Sequence, residues 1–293
     1  RGGITPVEAL ERGMDYIDVE WPNRPEVPER TVYSHHDYEG MHDVEAILRE
    51  MWARGCAQTK LAASPRTFGE NERLLQLLGQ AEARPTSVIG MGERGLYSRI
   101  LAPFLGSELA FVAAGAIAAP AQLTLQRAHE IYGVERAEKV FAIVGNPAGH
   151  SLSPVIHNRF FREKRVPAAY TIASFESFDE IRDAFLRGNP CGLSVTTPFK
   201  EEAFRVDAEM GENAKRAKAV NTLVNVNGTI LVPLVLIALS GGKFAFDLKM
   251  TFHMTAPEIA ENGLVVPINI EVDSPMTEAD HVRRIALFNE RNP

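Results

Sequence analysis

The sequence predicts an α/β protein, with two successive strand–helix segments on parallel strands followed by a short β-rich tail. Three observations carry that expectation. Short apolar runs alternate with amphipathic stretches from residue 16 to residue 132, the alternation restarts at Val140, and helical periodicity is lost beyond about Val232. Regular strand–helix alternation implies parallel strands joined by right-handed crossovers.

Taken in order, Tyr16 to Trp21 reads as the first strand and Thr31 to Tyr38 as the second. Val44, Ile47, Leu48 and Met51 fall at the i, i+3, i+4, i+7 spacing of a helix face turned to a core. Ala57 to Ala63 is the third strand, and Leu74, Leu75, Leu77 and Leu78 mark the next helix. Ser87 to Met91 and Leu109 to Ala114 complete five strands, and a last helix covers roughly Leu123 to Tyr132. Gly133 to Lys139 is a short charged connector.

The second segment opens with a strand at Val140 to Gly145. Ser153 can cap a helix whose first position is Pro154, where the missing N–H costs nothing. Ser177 and Glu180 have capping-box spacing ahead of Ile181, Ala184 and Phe185. Asn227-Gly228 between apolar runs is a two-residue hairpin signal. Ile230 to Leu239 is the most apolar run; interrupted by Pro233 and about half the length a bilayer needs, it reads as a buried segment or seam. Val265 to Val272 alternates like a sandwich strand. The expected domains are 1–135, 140–230 and 245–293.

Composition narrows the function. At 293 residues, with 45% hydrophobic and 24% charged residues, the chain has room for two domains of ordinary globular character. A formal net charge of -7 disfavours a nucleic-acid partner, because phosphate binding needs a basic surface. Cys56 and Cys191 form no metal or redox spacing and suit a reducing compartment. No signal peptide or membrane span is visible, so the expected setting is cytoplasmic, with neither a membrane partner nor a metal site.

The strand ends of the first segment carry the chemistry. Ser34-His35-His36-Asp37-Tyr38 is followed by Thr59-Lys60-Leu61-Ala62, then Met91-Gly92-Glu93-Arg94-Gly95-Leu96-Tyr97-Ser98-Arg99, Gly106-Ser107 and Ala119-Pro120-Ala121-Gln122. This ordered set resembles the type I 3-dehydroquinate dehydratase family, a (β/α)8 barrel, and implies a partial barrel with five of the eight strands. The resemblance implies that Lys60 forms a Schiff base with the substrate ketone and that His36 is the general base and then the acid for the leaving hydroxyl. It further implies that Arg99 clamps the substrate carboxylate, that Gln122 bonds the ring hydroxyls, and that the step needs no cofactor. Alone, a lysine at a strand end is more often a solvated rim residue. His35 reads as structural, and Glu93 with Arg94 as a surface ion pair. The family's acid that supports the histidine stands before a Gly-Gly pair; here Arg1 precedes Gly2-Gly3, so that support is expected to be missing. An open piece of barrel exposes two sheet edges, which impairs activity unless a homodimer covers them.

The second segment resembles the substrate-binding domain of the shikimate dehydrogenase family. The residues that carry the likeness are Gly145-Asn146-Pro147, His150-Ser151-Leu152-Ser153-Pro154, Ser194-Val195-Thr196-Thr197-Pro198-Phe199-Lys200 and Ala219-Val220-Asn221-Thr222-Leu223. The resemblance implies that Ser151 and Ser153 bond the carboxylate of shikimate or 3-dehydroshikimate. Thr196 and Asn221 would contact ring hydroxyls, and Lys200 would be the catalytic cation beside the reacting hydroxyl. His150 and His157 read as structural. The family also implies NADP, but its Gly-x-Asn-Thr-Asp segment is replaced by Thr229-Ile230-Leu231-Val232-Pro233. The later Gly241-Gly242 lacks the rest of a dinucleotide fingerprint, so the NADP domain is expected to be absent and hydride transfer not to occur.

In the tail, Ala256-Pro257-Glu258-Ile259-Ala260-Glu261-Asn262-Gly263, Val266-Pro267 and Asp273-Ser274-Pro275-Met276 resemble the sulfur-carrier subunit of thiosulfate oxidation, without its carrier cysteine. The expected function is therefore a shikimate-pathway lyase on a partial barrel joined to a shikimate-binding domain. The rivals are a non-catalytic shikimate-binding protein, a sulfur-oxidation fusion fragment and a chain without a selected function.

Overall fold

The computed structural model describes residues 5–117, 119–133, 136–232, 251–255 and 269–273. Thr5 caps α1 (Pro6–Glu11) through a capping box, its amide donating to Glu8 Oε2 at 2.6 Å and its hydroxyl accepting from the Glu8 amide at 3.2 Å. Then come β1 (Ile17–Glu20), β2 (Thr31–Asp37), α2 (Val44–Trp52), β3 (Gln58–Ala63), α3 (Phe68–Gln80), β4 (Thr86–Gly90), α4 (Leu96–Leu101) and α5 (Leu125–Ile131). The four strands form one parallel sheet in chain order.

Register separates the two faces of this sheet. Glu20 pairs with Ser34, Ser34 with Lys60 and Lys60 with Ser87, so these residues lie in one row on one face. Asp18, His36 and Gln58 share that face by alternation. The other face turns Leu61, Ala63 and Val88 toward Val44 and Leu48 of α2 and Leu74 and Leu77 of α3. Thr67 starts α3 with a second capping box, closed by Glu70.

The fifth expected strand does not form. The Glu108 amide donates to Thr86 O at 3.1 Å, but the next amide, Leu109, goes to the Ser87 hydroxyl at 2.9 Å. A side chain thereby takes a donor that a ladder would use, and the chain leaves the sheet. Ala113 instead makes an isolated bridge with Thr124. Gly90 and Gly95 set the turn into α4, where a Cβ on Gly90 would meet Gly95 O and Ser98 Oγ.

The second segment contains β5 (Lys139–Gly145), α6 (Ser153–Lys164), β6 (Ala168–Ser174), α7 (Asp179–Leu186), β7 (Gly192–Val195), α8 (Lys200–Ala203), β8 (Glu209–Met210), α9 (Glu212–Ala217), β9 (Thr222–Val226) and β10 (Thr229–Val232). Its sheet order is β6-β5-β7-β9-β10-β8. β6, β5 and β7 are parallel, while β9 and β10 run antiparallel through the expected hairpin, with Asn227 at φ 51 and Gly228 at φ 90. Ser153 is the first helical residue of α6 rather than its cap, because its hydroxyl is engaged by Ser151. Ser177 does not cap α7; Glu180 reaches back to the Glu176 amide at 3.0 Å. Ile230 is buried in β10, and the apolar run beyond Val232 lies outside the described residues.

The two segments lie within one compact unit, Arg1–Gly241. One hydrophobic core runs through both: Phe68, Leu96, Tyr97, Ile100 and Phe104 belong to the same cluster as Ile143, Ile172 and Phe175. Phe68 stands edge-on to Tyr97 at 4.9 Å and to Phe175 at 5.7 Å. The second unit, Gly242–Pro293, contains β11 (Thr251–Thr255) paired antiparallel with β12 (Asn269–Asp273), which carries the last part of the expected tail strand.

The outer edge of β6 is covered by a side chain. Asn158, wholly buried in α6, donates to Tyr170 O and accepts from Tyr170 N, both at 2.8 Å, as a neighbouring strand would. Replacing Asn158 with Leu leaves two backbone groups unpaired and is expected to cost about 3 kcal/mol in a urea titration. An unchanged midpoint would contradict this role for the amide.

Candidate active sites on two sheets

On the polar face of the first sheet, β3 presents Lys60, whose side chain is only 7% exposed, and its Nζ donates to Asp18 Oδ2 at 2.8 Å. The same Nζ sits 4.6 Å above the ring of Phe111. β2 presents His36, whose Nδ1 lies 2.7 Å from Glu20 Oε2 while its amide donates to Glu20 Oε1 at 2.9 Å. Two carboxylates on one strand therefore hold the lysine and the histidine on one face. Glu20 is thus the carboxylate that backs the histidine, and the position before Gly2-Gly3 lies outside the described residues. Ser34, between Glu20 and Lys60 in the row, is fully buried and its hydroxyl has no partner.

Arg99 reaches this region from α4. Its Nε donates to Gly90 O at 2.7 Å, and burial pushes its pKa below the ordinary guanidinium value. A small cavity beside it is lined by Ile89, Phe111, Leu123 and Tyr132, so Phe111 joins the Arg99 cavity to Lys60. Gln122 is half-buried next to Leu123, and its amide donates to Ala119 O at 3.2 Å.

The second set gathers at the carboxyl ends of β5 and β7, where open α/β sheets bind ligands. Ser151 is buried, and its hydroxyl donates to Ser153 Oγ at 3.1 Å and accepts from the Ser153 amide at 3.2 Å. Thr196 joins the end of β5 through its amide, 2.9 Å from Val144 O. The Asn221 carbonyl accepts from Val195 N at 2.7 Å, and the Lys200 carbonyl accepts from Val220 N at 2.9 Å. Asn221 and Lys200 have exposed side chains. Tyr170 lies beneath the cluster, its hydroxyl donating to Ser194 Oγ at 2.6 Å and His157 stacked on its ring at 4.3 Å. Burial pushes His157 down to about 4, which keeps the imidazole neutral. Glu93 and Arg94 do not pair with each other. Each reaches across to the second segment, Glu93 to Ser174 Oγ at 2.9 Å and Arg94 to Glu176.

Asp18, Glu20, Phe111 and Tyr170 are the residues that sequence reasoning missed. The alternation Ile17-Asp18-Val19-Glu20 carries the signal for the first two, since it puts both carboxylates on one strand face. Among the described residues, no group of three or more His, Cys, Asp and Glu side chains could hold a metal, and no helix is long and apolar enough to cross a membrane.

Comparison with known proteins divides the chain in the same order. Residues 7–139 match the family model of type I 3-dehydroquinase, residues 143–223 that of the shikimate dehydrogenase substrate binding domain, and residues 236–293 that of the sulfur oxidation protein SoxY. The chain is 29% identical over 234 residues to the chloroplastic bifunctional 3-dehydroquinate dehydratase/shikimate dehydrogenase of Arabidopsis thaliana, covering 74% of this chain and 39% of that protein. Among solved structures, the dehydroquinate dehydratase and shikimate dehydrogenase of S. pombe AroM matches at 22% identity and a TM-score of 0.37, over 77% of this chain and 47% of that one. A shikimate dehydrogenase solved in complex with NADP+ matches at 29% identity and a TM-score of 0.30, over 32% of this chain and 33% of that one. The chain thus spans less than half the length of the curated relatives it matches.

The loop after β2 yields a pH prediction. Burial pushes the Asp37 carboxyl up, but the amides of His42 and Glu39 and the His42 imidazole outweigh it, leaving the pKa below its ordinary value of 3.8. A depressed carboxylate stabilises the fold fully above its unfolded pKa, and that stability is lost as pH falls through the folded value. Asp37→Asn should therefore flatten stability against pH below about pH 4. An identical acid limb in urea melts of the variant would refute the assignment.

Proposed function

We propose that this chain acts in the shikimate pathway, with a Schiff-base site for 3-dehydroquinate on the β1–β4 face and a site for shikimate or 3-dehydroshikimate at the ends of β5 and β7. The observation that carries the first half is the buried Lys60 paired with Asp18, beside a histidine backed by Glu20. Asp18 is placed to take the proton from the ammonium, and the free amine adds to the ketone and forms an imine with loss of water. His36 then removes the proton next to the imine carbon, and Glu20 stabilises the imidazolium that results. The electron pair moves through the enamine and expels the ring hydroxyl, which leaves as water with the proton His36 returns. Hydrolysis of the imine restores Lys60 and releases 3-dehydroshikimate. Arg99 and Gln122 are the groups assigned to the carboxylate and hydroxyls of the bound acid.

At the second site Ser151 and Ser153 take the carboxylate, Thr196 and Asn221 the ring hydroxyls, and Lys200 the reacting oxygen. Among the described residues, the place where the resembled family carries its Gly-x-Asn-Thr-Asp segment is filled by Thr229–Val232 of β10, with Ile230 buried, so the segment that leads to a nicotinamide site in that family does not fit here. We therefore derive no hydride step for this chain. The complete hydroxyl cluster favours a second reading, a shikimate-binding protein without dehydratase turnover.

Intact mass after borohydride reduction in the presence of 3-dehydroquinate separates the two. An adduct mapped to Lys60, lost in Lys60→Ala and kept in His36→Gln with dehydration reduced by at least about a hundredfold, is the expected result. Folded protein that gives no adduct would leave the binding reading.

A further inference from the structure

The serine pair of the second site is held from outside its own segment. Arg127 of α5 donates through Nη2 to the carbonyl of Ser151. The Ser151 hydroxyl in turn donates to Ser153 Oγ at 3.1 Å, so the guanidinium holds the backbone of the residue that links the pair. The arrangement is reciprocal, since Arg162 of α6 donates through Nη1 to Tyr132 O at 2.7 Å and to His129 O at 3.2 Å, closing the end of α5. This exchange fixes α5 along α6, start to start through Arg127 and end to end through Arg162.

Arg127 is half-buried. Burial pushes its pKa down from the guanidinium value, with Glu130 opposing the shift, but a guanidinium keeps its charge in a protein. Near the loop, Glu93 Oε1 accepts from Ser174 Oγ at 2.9 Å and from the Gly149 amide at 3.3 Å, so this carboxylate is held against those two groups. Hydroxyl donors give a carboxylate hydrogen bonds but no net positive charge, whereas a guanidinium held nearby adds Coulomb attraction to the anion. Arg127 brings such a charge to the backbone of Ser151.

We propose that Arg127, a residue of the preceding segment, determines the carboxylate specificity of the serine site by fixing Ser151 and supplying the positive charge that a cyclic polyol monocarboxylate meets there. The assignment rests on the reading of Ser151 and Ser153 as the carboxylate site. It gives the dehydratase-like segment a part in binding at the second site, whether or not Lys60 turns over.

The test is calorimetric titration of the full chain with shikimate and with methyl shikimate, which lacks the charge. Arg127→Met is expected to weaken shikimate about tenfold. Methyl shikimate should change by less than about twofold, and Arg127→Lys should recover part of the loss. Equal losses for acid and ester would make Arg127 a purely structural support and overturn the proposal, as would no loss at all. If Arg127→Met does not fold, the salt dependence of the unaltered protein decides. Shikimate affinity should fall with added salt while ester affinity stays flat, and two parallel curves would overturn the assignment. Failure of the unaltered protein to bind either compound would instead sink the serine site itself, and this assignment with it.

Discussion

The helix Leu96–Leu101 is the part on which the rest of the unit depends. Leu96, Tyr97, Ser98, Ile100 and Leu101 are all buried, so the helix has almost no face left for water. One side packs against the first segment, where Asn71 of α3 accepts from the Ser98 amide at 3.2 Å and from its hydroxyl at 2.7 Å. The other side meets β6, whose Thr171 hydroxyl donates to Tyr97 O at 3.1 Å. Removing either segment would uncover Leu96, Tyr97, Ile100 or Leu101 of this helix to water. The two halves thus share a core, and neither buries its own apolar surface alone.

This sharing explains how both sites stay organised. The turn from Met91 to Gly95 precedes the shared helix and lies between them. It lets Arg99 return to Gly90 at the edge of the first sheet, while Glu93 and Arg94 cross to Ser174 and Glu176 of the second segment. The polar face of the first sheet needs no such help. Asp18 and Glu20 on a single short strand supply both supporting charges. Ion pairs of this kind, a buried lysine and a partly exposed histidine each held by a half-exposed carboxylate, are weak evidence for stability, because solvent screens the attraction and desolvation of the lysine offsets it. Their retention is better understood through chemistry, where a lysine and a histidine must be kept in place.

Much of this was legible in residue patterns. Helical spacing at Val44, Leu48 and Met51 gave the buried face of the second helix, and Asn227-Gly228 gave the hairpin. Lys60 and His36 could be placed on neighbouring parallel strands from strand order alone, and the structure puts them on one face. The fifth strand could not be rejected from sequence, because its failure depends on a hydroxyl, Ser87, that takes the Leu109 amide. Ser153 likewise has the identity of a cap, but it spends its hydroxyl on Ser151. Contacts across segments, such as Arg127 with Ser151 and Glu93 with Ser174, leave no periodic trace, since each depends on how two sheets dock.

The shared core can be tested directly. Both tryptophans, Trp21 and Trp52, lie in the first segment, so tryptophan fluorescence reports its unfolding, while amide exchange in Val140–Gly145 and Ala169–Ser174 reports the second. Urea titration followed by both probes should give coincident midpoints, as expected for one cooperative unit. Two separated transitions, with the second segment still protected after the tryptophans have become exposed, would contradict a common core.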